Sequence, residues 1–217
     1  VLPGTVCSSG DSLAALSEGS HTITIQHTDL AGNVGTSATN TFTVDITAPL
    51  TPSVTSPASP YTTSDQTPTL EGLAEPDNWV YIYVDGVLNS VTFSNGTGDW
   101  SMDLGTISEG AHTIYVESWD AAGNISPPSS PDRSLTVDLT APAVSVTSPA
   151  SNGLTVGPNG NITFTATDAV GPVTTTCELD GGGAASCTSP FAYGSLSTGA
   201  HSFTVTGTNA GGTSSVT

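Results

Sequence analysis

The stretch Glu18-Gly-Ser-His-Thr-Ile-Thr-Ile-Gln-His-Thr-Asp-Leu-Ala-Gly-Asn33 returns as Glu109-Gly-Ala-His-Thr-Ile-Tyr-Val-Glu-Ser-Trp-Asp-Ala-Ala-Gly-Asn124 and again, eroded, as Thr198-Gly-Ala-His-Ser-Phe-Thr-Val-Thr-Gly-Thr-Asn-Ala-Gly-Gly-Thr213. Its histidines, His21, His112 and His201, stand 91 and 89 residues apart, and Val44-Asp-Ile-Thr-Ala-Pro49 recurs 93 residues later as Val137-Asp-Leu-Thr-Ala-Pro142. A period near 90 is the length of one small domain, so the chain is a tandem array. The repeats divide it into a partial unit at 1–46 holding only later strands, a complete unit at 47–139, and a unit at 140–217 whose last strand is missing. Opening inside one repeat and closing before a third Thr-Ala-Pro junction, the sequence reads as an excerpt of a longer polypeptide.

Within residues 47–138, short alternating runs are punctuated by Gly, Pro, Asn and Asp at the spacing of an antiparallel sandwich. Seven strands are expected, near 51–55, 67–73, 79–84, 87–93, 99–104, 111–119 and 132–137, with Asp85-Gly86 as a hairpin turn. In the sixth, Ile114, Val116 and Ser118 point one way and Tyr115, Glu117 and Trp119 the other. Ile23 and Ile25 occupy the inward places in the first repeat, Phe203 and Val205 in the third. No segment carries apolar residues at helical spacing over three turns, and β-branched residues dominate the periodic segments. The expected fold is all-β: tandem immunoglobulin-like antiparallel β-sandwiches arranged as an extended rod.

Charge removes one class of partner. One basic residue, Arg133, stands against 19 acidic ones, a formal charge of −18, so phosphate backbones would be repelled and nucleic acid is excluded. No apolar run is long enough to span a membrane, so no membrane insertion is expected within this segment. Cys177 and Cys187 flank Glu-Leu-Asp-Gly-Gly-Gly-Ala-Ala-Ser, two strands around a glycine turn that could bring the sulfurs within bridging distance. A Cys177–Cys187 disulfide implies an oxidising, extracytoplasmic setting; the alternatives are buried free thiols or half a zinc site. Cys7 aligns with Cys187.

Glu-Gly-x-His-Thr, followed by Asp-x-Ala-Gly-Asn and Val-Asp-x-Thr-Ala-Pro, resembles the bacterial immunoglobulin-like repeats of very large surface and secreted adhesins. The third repeat resembles a disulfide-bearing variant of them. The resemblance covers essentially the whole chain and implies extension, spacing, adhesion and, in some members, calcium-stiffened linkage.

Catalysis has little to stand on: three histidines are copies of one position, suited to bonding a nearby turn, and no enzyme activity is expected. Asp99 and Asp103 share a strand face without a cleft and read as solvated. Asp29 and Asp120 sit in the turn after the sixth strand, with Asn33 and Asn124 four residues on, and Asp45 and Asp138 close the repeat before Thr-Ala-Pro. Turn and linker converging at one end of the sandwich would offer hard oxygen ligands suited to calcium; the plainer reading is that Asp and Asn form turns by bonding local backbone amides. No cofactor is required. Tyr81, Tyr83, Tyr115 and Trp119 form an expected outward aromatic patch, able to contact another protein chain or stack on sugar, against the alternative of ordinary cross-strand pairing. Asn95-Gly-Thr, Asn124-Ile-Ser and Asn161-Ile-Thr match the glycosylation pattern, a weak signal here.

The expected function is structural or adhesive, a stalk, spacer or filament segment of a large extracellular or cell-surface repeat protein. Its partners would be other protein chains, by self-association or at a surface. The alternative is a carbohydrate- or surface-binding module, with polysaccharide as partner, accessory to a secreted enzyme.

Overall fold

Alternating Thr, Val and Ile build strands, and the computed structural model, which describes residues 8, 10, 12, 15–149 and 156–217, is all-β. Cys7 lies outside the described residues. The first repeat contributes β1 (Gly19–Ile23), β2 (Gln26–Thr28), β3 (Val34–Thr36) and β4 (Asn40–Val44), forming the two-stranded sheets β1-β4 and β2-β3. No second sheet covers them among the described residues. Ile25, expected inward, is therefore 56% exposed, as are Val34 and Phe42 in their degree.

The second repeat is a closed sandwich. Its strands are β5 (Ser53–Ser56), β6 (Tyr61–Thr63), β7 (Thr69–Leu73), β8 (Trp79–Val84), β9 (Val87–Phe93), β10 (Asp99–Asp103), β11 (Gly110–Trp119) and β12 (Arg133–Val137). One sheet has the order β10-β7-β5 and the other β6-β12-β11-β8-β9. Val54, Leu70 and Trp100 of the first sheet meet Val80, Ile82, Ile114, Val116, Leu135 and Val137 of the second, all buried. Seven strands were expected and eight are present. The addition, β6, is three residues long, pairs in parallel with the edge of β12, and lies beyond Pro57 and Pro60, where no periodicity can show.

The third repeat carries β13 (Ala143–Ser148), β14 (Gly160–Thr167), β15 (Thr174–Leu179), β16 (Ala185–Ser186), β17 (Phe191–Tyr193), β18 (Phe203–Asn209) and β19 (Gly212–Val216), in sheets β13-β14-β17 and β16-β15-β18-β19. Phe164, Cys177 and Val205 are its buried centre. Cys177 and Cys187 are disulfide-bonded, which replaces the free-thiol and zinc alternatives. β19 pairs with β18 over Val205–Asn209, and no described strand occupies the place that β12 holds in the second repeat.

Gly72 makes room for the indole of Trp100, its neighbour across β7 and β10 in the same sheet. A Cβ there would overlap the Ser53 carbonyl oxygen and the indole of Trp100, which is 3% exposed. At Gly96, in the turn before β10, an added Cβ would meet nothing within 4 Å.

The repeated histidine does one structural job. In the second repeat His112 Nδ1 lies 2.7 Å from Asp85 Oδ2 and Nε2 lies 3.0 Å from Ser108 O. The other oxygen, Asp85 Oδ1, accepts from Thr113 N at 2.8 Å. The third repeat reproduces the arrangement with His201, Asp180 Oδ2 at 2.6 Å, Ser197 O at 2.9 Å, and Ser202 N donating to Asp180 Oδ1 at 2.8 Å. Both aspartates are the left-handed first residues of Asp-Gly hairpin turns, φ 51° and 52°. Each clasp thus ties a hairpin to the start of the strand that carries the repeat motif, and His21 keeps the carbonyl half of it, 2.7 Å from Ser17 O. In the third repeat both partners of the ring are acceptors, and only the imidazolium can donate to both at once, so the arrangement favours the protonated ring. The Ser197 carbonyl and then Asp180 accordingly raise His201 above 6.5, while His201 and then the Ser202 amide hold Asp180 below 3.8.

Two predictions follow from this packing. Gly72→Ala should cost about 1–3 kcal/mol by overpacking, whereas Gly96→Ala should be close to neutral, in paired thermal and urea denaturation. The clasp should make the third repeat's stability depend on pH at both ends. A raised histidine contributes fully below 6.5 and loses its contribution as pH rises through its folded value; a lowered aspartate contributes above 3.8 and loses its share as pH falls through its own. The unfolding midpoint should fall on the alkaline side of the His201 titration, and His201→Gln should remove that step. Parallel pH curves for parent and variant would show that the imidazole has no such part.

Candidate functional site: the repeat junctions and an aromatic sheet face

The turn after the sixth strand is built by its own aspartate. Asp120 Oδ1 accepts from Ala122 N at 2.8 Å and Asn124 N at 2.9 Å, and Asp120 Oδ2 accepts from Asn124 Nδ2 at 2.8 Å. Asp29 repeats the pattern with Ala31 N, Asn33 N and Asn33 Nδ2. The asparagine amide is the largest cause holding each carboxyl below its ordinary range. These bonds are those of turn formers.

The turn meets the linker that enters its own repeat, a pairing that sequence order does not suggest. Asn124 Nδ2 also donates to Asp45 O at 3.2 Å, which brings Asp45, Asp120 and Asn124 together. Thr47 of the linker donates through Oγ1 to Glu18 Oε2 at 2.7 Å and through its amide to Asp45 Oδ1 at 3.0 Å, while Leu50 N donates to Glu75 Oε2 at 3.0 Å. Glu18 belongs to the repeat before and Glu75 to the repeat after, so the linker is bonded on both sides. Asp45, Glu75, Asp77 and Asp120 line one cleft of about 330 Å³ beside it.

The second junction repeats these contacts. Thr140 Oγ1 donates to Glu109 Oε1 at 2.9 Å, Thr140 N to Asp138 Oδ1 at 3.3 Å, and Asn209 Nδ2, the counterpart of Asp120 in sequence, to Thr140 O at 3.0 Å. Asp138 is fully buried, and its Oδ2 has no hydrogen-bond partner. Two glycines of the third repeat make room for it: a Cβ at Gly211 would lie 2.6 Å from Asp138 Oδ1, and one at Gly171 3.1 Å from Oδ2. Among the described residues no group of three or more His, Cys, Asp or Glu side chains is disposed to hold a metal ion. Asp29 and Asn33 stand apart from both junctions. Glu18, Glu75 and Glu109 were not singled out from the sequence, although the recurrence of Glu18 and Glu109 in Glu-Gly-x-His carried the signal.

The aromatic patch lies on the outer face of the five-stranded sheet. Register places Tyr115 opposite Tyr83, Glu117 opposite Tyr81 and Trp119 opposite Trp79, with Trp79 in turn opposite Phe93. Tyr83 and Tyr115 stack at 4.8 Å with planes 7° apart, Tyr81 and Trp119 lie 4.6 Å apart at 31°, and Trp79 meets Phe93 edge-on at 5.1 Å. The four expected residues are thus paired across strands, and the patch extends to Trp79 and Phe93, 49% and 46% exposed. Desolvation first, and then the Glu117 carboxylate, push the Tyr83 hydroxyl above its ordinary value.

The Clostridium thermocellum CbhA fibronectin(III)-like modules are 20% identical at a TM-score of 0.42, covering 75% of this chain and 88% of that one. The BSP domain of a biofilm-associated protein is 16% identical at 0.30, over 75% and 27% of the two chains. A Bacteroides ovatus mixed-linkage glucan utilisation protein, SGBP-B, solved with a heptasaccharide, is 13% identical at 0.23, over 87% and 56%. No curated protein matches the sequence. No helix among the described residues is long and apolar enough to cross a membrane. The bacterial Ig-like domain family matches residues 9–46 and 55–139, more than half of the chain, and it is to this family that the protein belongs.

Proposed function

We propose that the chain is a structural segment of a large extracellular or cell-surface bacterial protein, in which tandem sandwiches follow one another as an extended, semi-rigid stalk, spacer or filament. The observation that carries this reading is the doubly bonded linker. Thr47 and Thr140 are tied back to Glu18 and Glu109, and the turn asparagines Asn124 and Asn209 reach the linker from the following repeat. A linker held on both sides transmits orientation, and the proline closing each Thr-Ala-Pro restricts it further. Repetition of a non-catalytic fold type suits mechanical work. High negative charge keeps such segments soluble and apart, and the disulfide fits an oxidising environment.

Calcium at the junctions belongs to the same proposal. What supports it is the buried, unpartnered Oδ2 of Asp138 and the lining of one cleft by Asp45, Glu75, Asp77 and Asp120, although these carboxylates are not disposed as a ligand cluster and would have to draw together. Asp29, Asn33, Asp120 and Asn124 already satisfy one another, so they would add to such a site rather than build it. Calcium would neutralise carboxylates contributed from both sides of a linker and fix their separation.

A second reading, attachment to polysaccharide or another surface through the aromatic face, is supported by the exposed Trp79 and Phe93. The stack of Tyr83 on Tyr115 weighs against it for sugar, because each ring covers a face that a sugar would need.

Small-angle scattering should give a radius of gyration well above the about 17 Å of a compact globule of this length; a value near that figure would end the stalk reading. Calcium in excess over chelator should raise the unfolding midpoint, by about 2.7 kcal/mol of stability at a hundredfold excess over its dissociation constant. Asp138→Asn should remove most of that gain at the second junction. An unchanged midpoint would remove calcium and leave the stalk intact.

A further inference from the structure

Beyond the spacer role, we propose that the outer face of the five-stranded sheet in the second repeat docks an arginine-bearing segment of another protein, with Glu117 as the anion at its centre. Glu117 is the one charged side chain at the outward positions of β8 and β11. It faces Tyr81 directly, has Tyr115 and Trp119 two residues away on its own strand, and approaches Tyr83 closely enough to draw on its hydroxyl. It is half-buried. A half-buried carboxylate beside aromatic rings attracts a counter-charge more strongly than one in open water.

The chain cannot supply one. Its single basic side chain, Arg133, turns toward the other layer and donates through Nη2 to Pro57 O at 2.7 Å. The ion pairs among the described residues are those of His112 and His201, both at hairpin turns. A cation at this carboxylate would therefore come from outside. A second copy of this chain is a poor source, since it would oppose two Glu117 carboxylates and two strongly negative surfaces. The ring geometry argues against sugar, as given above; with their faces stacked and their edges positive, what the tyrosines offer a donor-rich cation is their hydroxyl oxygens, which accept hydrogen bonds. Guanidinium suits this better than ammonium, because it offers several N–H groups in one plane and also stacks on an exposed indole such as Trp79.

The test uses the full chain and a short arginine-rich peptide, titrated by calorimetry at physiological salt. Because so acidic a protein attracts any cation, the comparison is between variants that change charge equally. Glu117→Gln should weaken binding roughly tenfold, whereas Glu71→Gln, exposed on the outer face of the opposite sheet, should leave it unchanged. Tyr83→Ala with Tyr115→Ala, which alters no charge, should weaken it by a similar factor. Far-ultraviolet circular dichroism and the unfolding midpoint establish that each variant is folded; should the double variant not fold, Tyr115→Phe, which removes only the hydroxyl, takes its place with a smaller expected loss. Equal weakening by Glu117→Gln and Glu71→Gln would reduce the effect to diffuse charge and overturn the proposal. So would binding of a neutral β-glucan oligosaccharide that is indifferent to Glu117→Gln and not matched by the peptide. Neither result bears on the radius of gyration, so the spacer reading stands or falls separately.

Discussion

Strand β11 is the axis on which the second repeat is organised. Its ten residues pair with β12 along the first half and with β8 along the second. Ile114, Val116 and Ser118 on one face are sealed into the core, and Tyr115, Glu117 and Trp119 on the other make the outward patch. Its ends carry the remaining features. Glu109 bonds the linker leaving the repeat, His112 clasps the Asp85 hairpin, and beyond Trp119 the Asp120–Asn124 turn bonds the linker entering it. A strand whose register slipped by one residue would exchange the core for the aromatic patch and detach both junctions. Core, surface and linkage are therefore set by one alternation, which explains how a single motif can recur through the chain while its outward residues vary.

That alternation is also why much of the architecture could be read from the sequence. Period-two runs and Asp-Gly turns located seven strands of the second repeat, and the facing of Ile114 against Tyr115 followed directly. What could not be read has physical reasons. The three-residue β6 has no period to detect and is held by parallel pairing with β12. Ile25 has inward parity, but parity does not create a second sheet to cover it. The junction depends on contacts between residues as far apart as Asp45 and Asn124, and sequence order gave no means of choosing which linker a turn would meet. The disulfide was suggested by a local turn; the burial of Asp138 between Gly171 and Gly211 was not suggested by anything local.

With a single Lys or Arg in the chain, ion pairing among the described residues is confined to the His112–Asp85 and His201–Asp180 clasps, and elsewhere carboxylates hold turns and linkers by accepting from amides and hydroxyls. Asp29, Asp85, Asp120 and Asp180 each bind backbone N–H groups of a turn or a neighbouring strand, while Glu18, Glu75 and Glu109 bind linker donors. Such bonds to a charged acceptor are stronger than neutral ones and need no partner that salt could screen. They leave the overall negative charge in place, so the same residues that order each junction also make it a region of high field.

The third repeat shows how far the pattern can be worn before it needs another support. The buried centre of the second repeat includes Ile82, Trp100, Ile114 and Val116, whereas that of the third is reduced to Phe164, Cys177 and Val205 with partly buried neighbours. Gly207 stands where the second repeat has the inward Ser118, and Val144, Val173 and Ala166 close over it. One of the three central residues is itself half of the Cys177–Cys187 bridge, so the covalent link passes through the middle of the thin core. Closing that short loop restricts the unfolded chain where apolar burial is least able to favour the folded one. The retained His201–Asp180 clasp holds the turn of the same hairpin that the bridge spans.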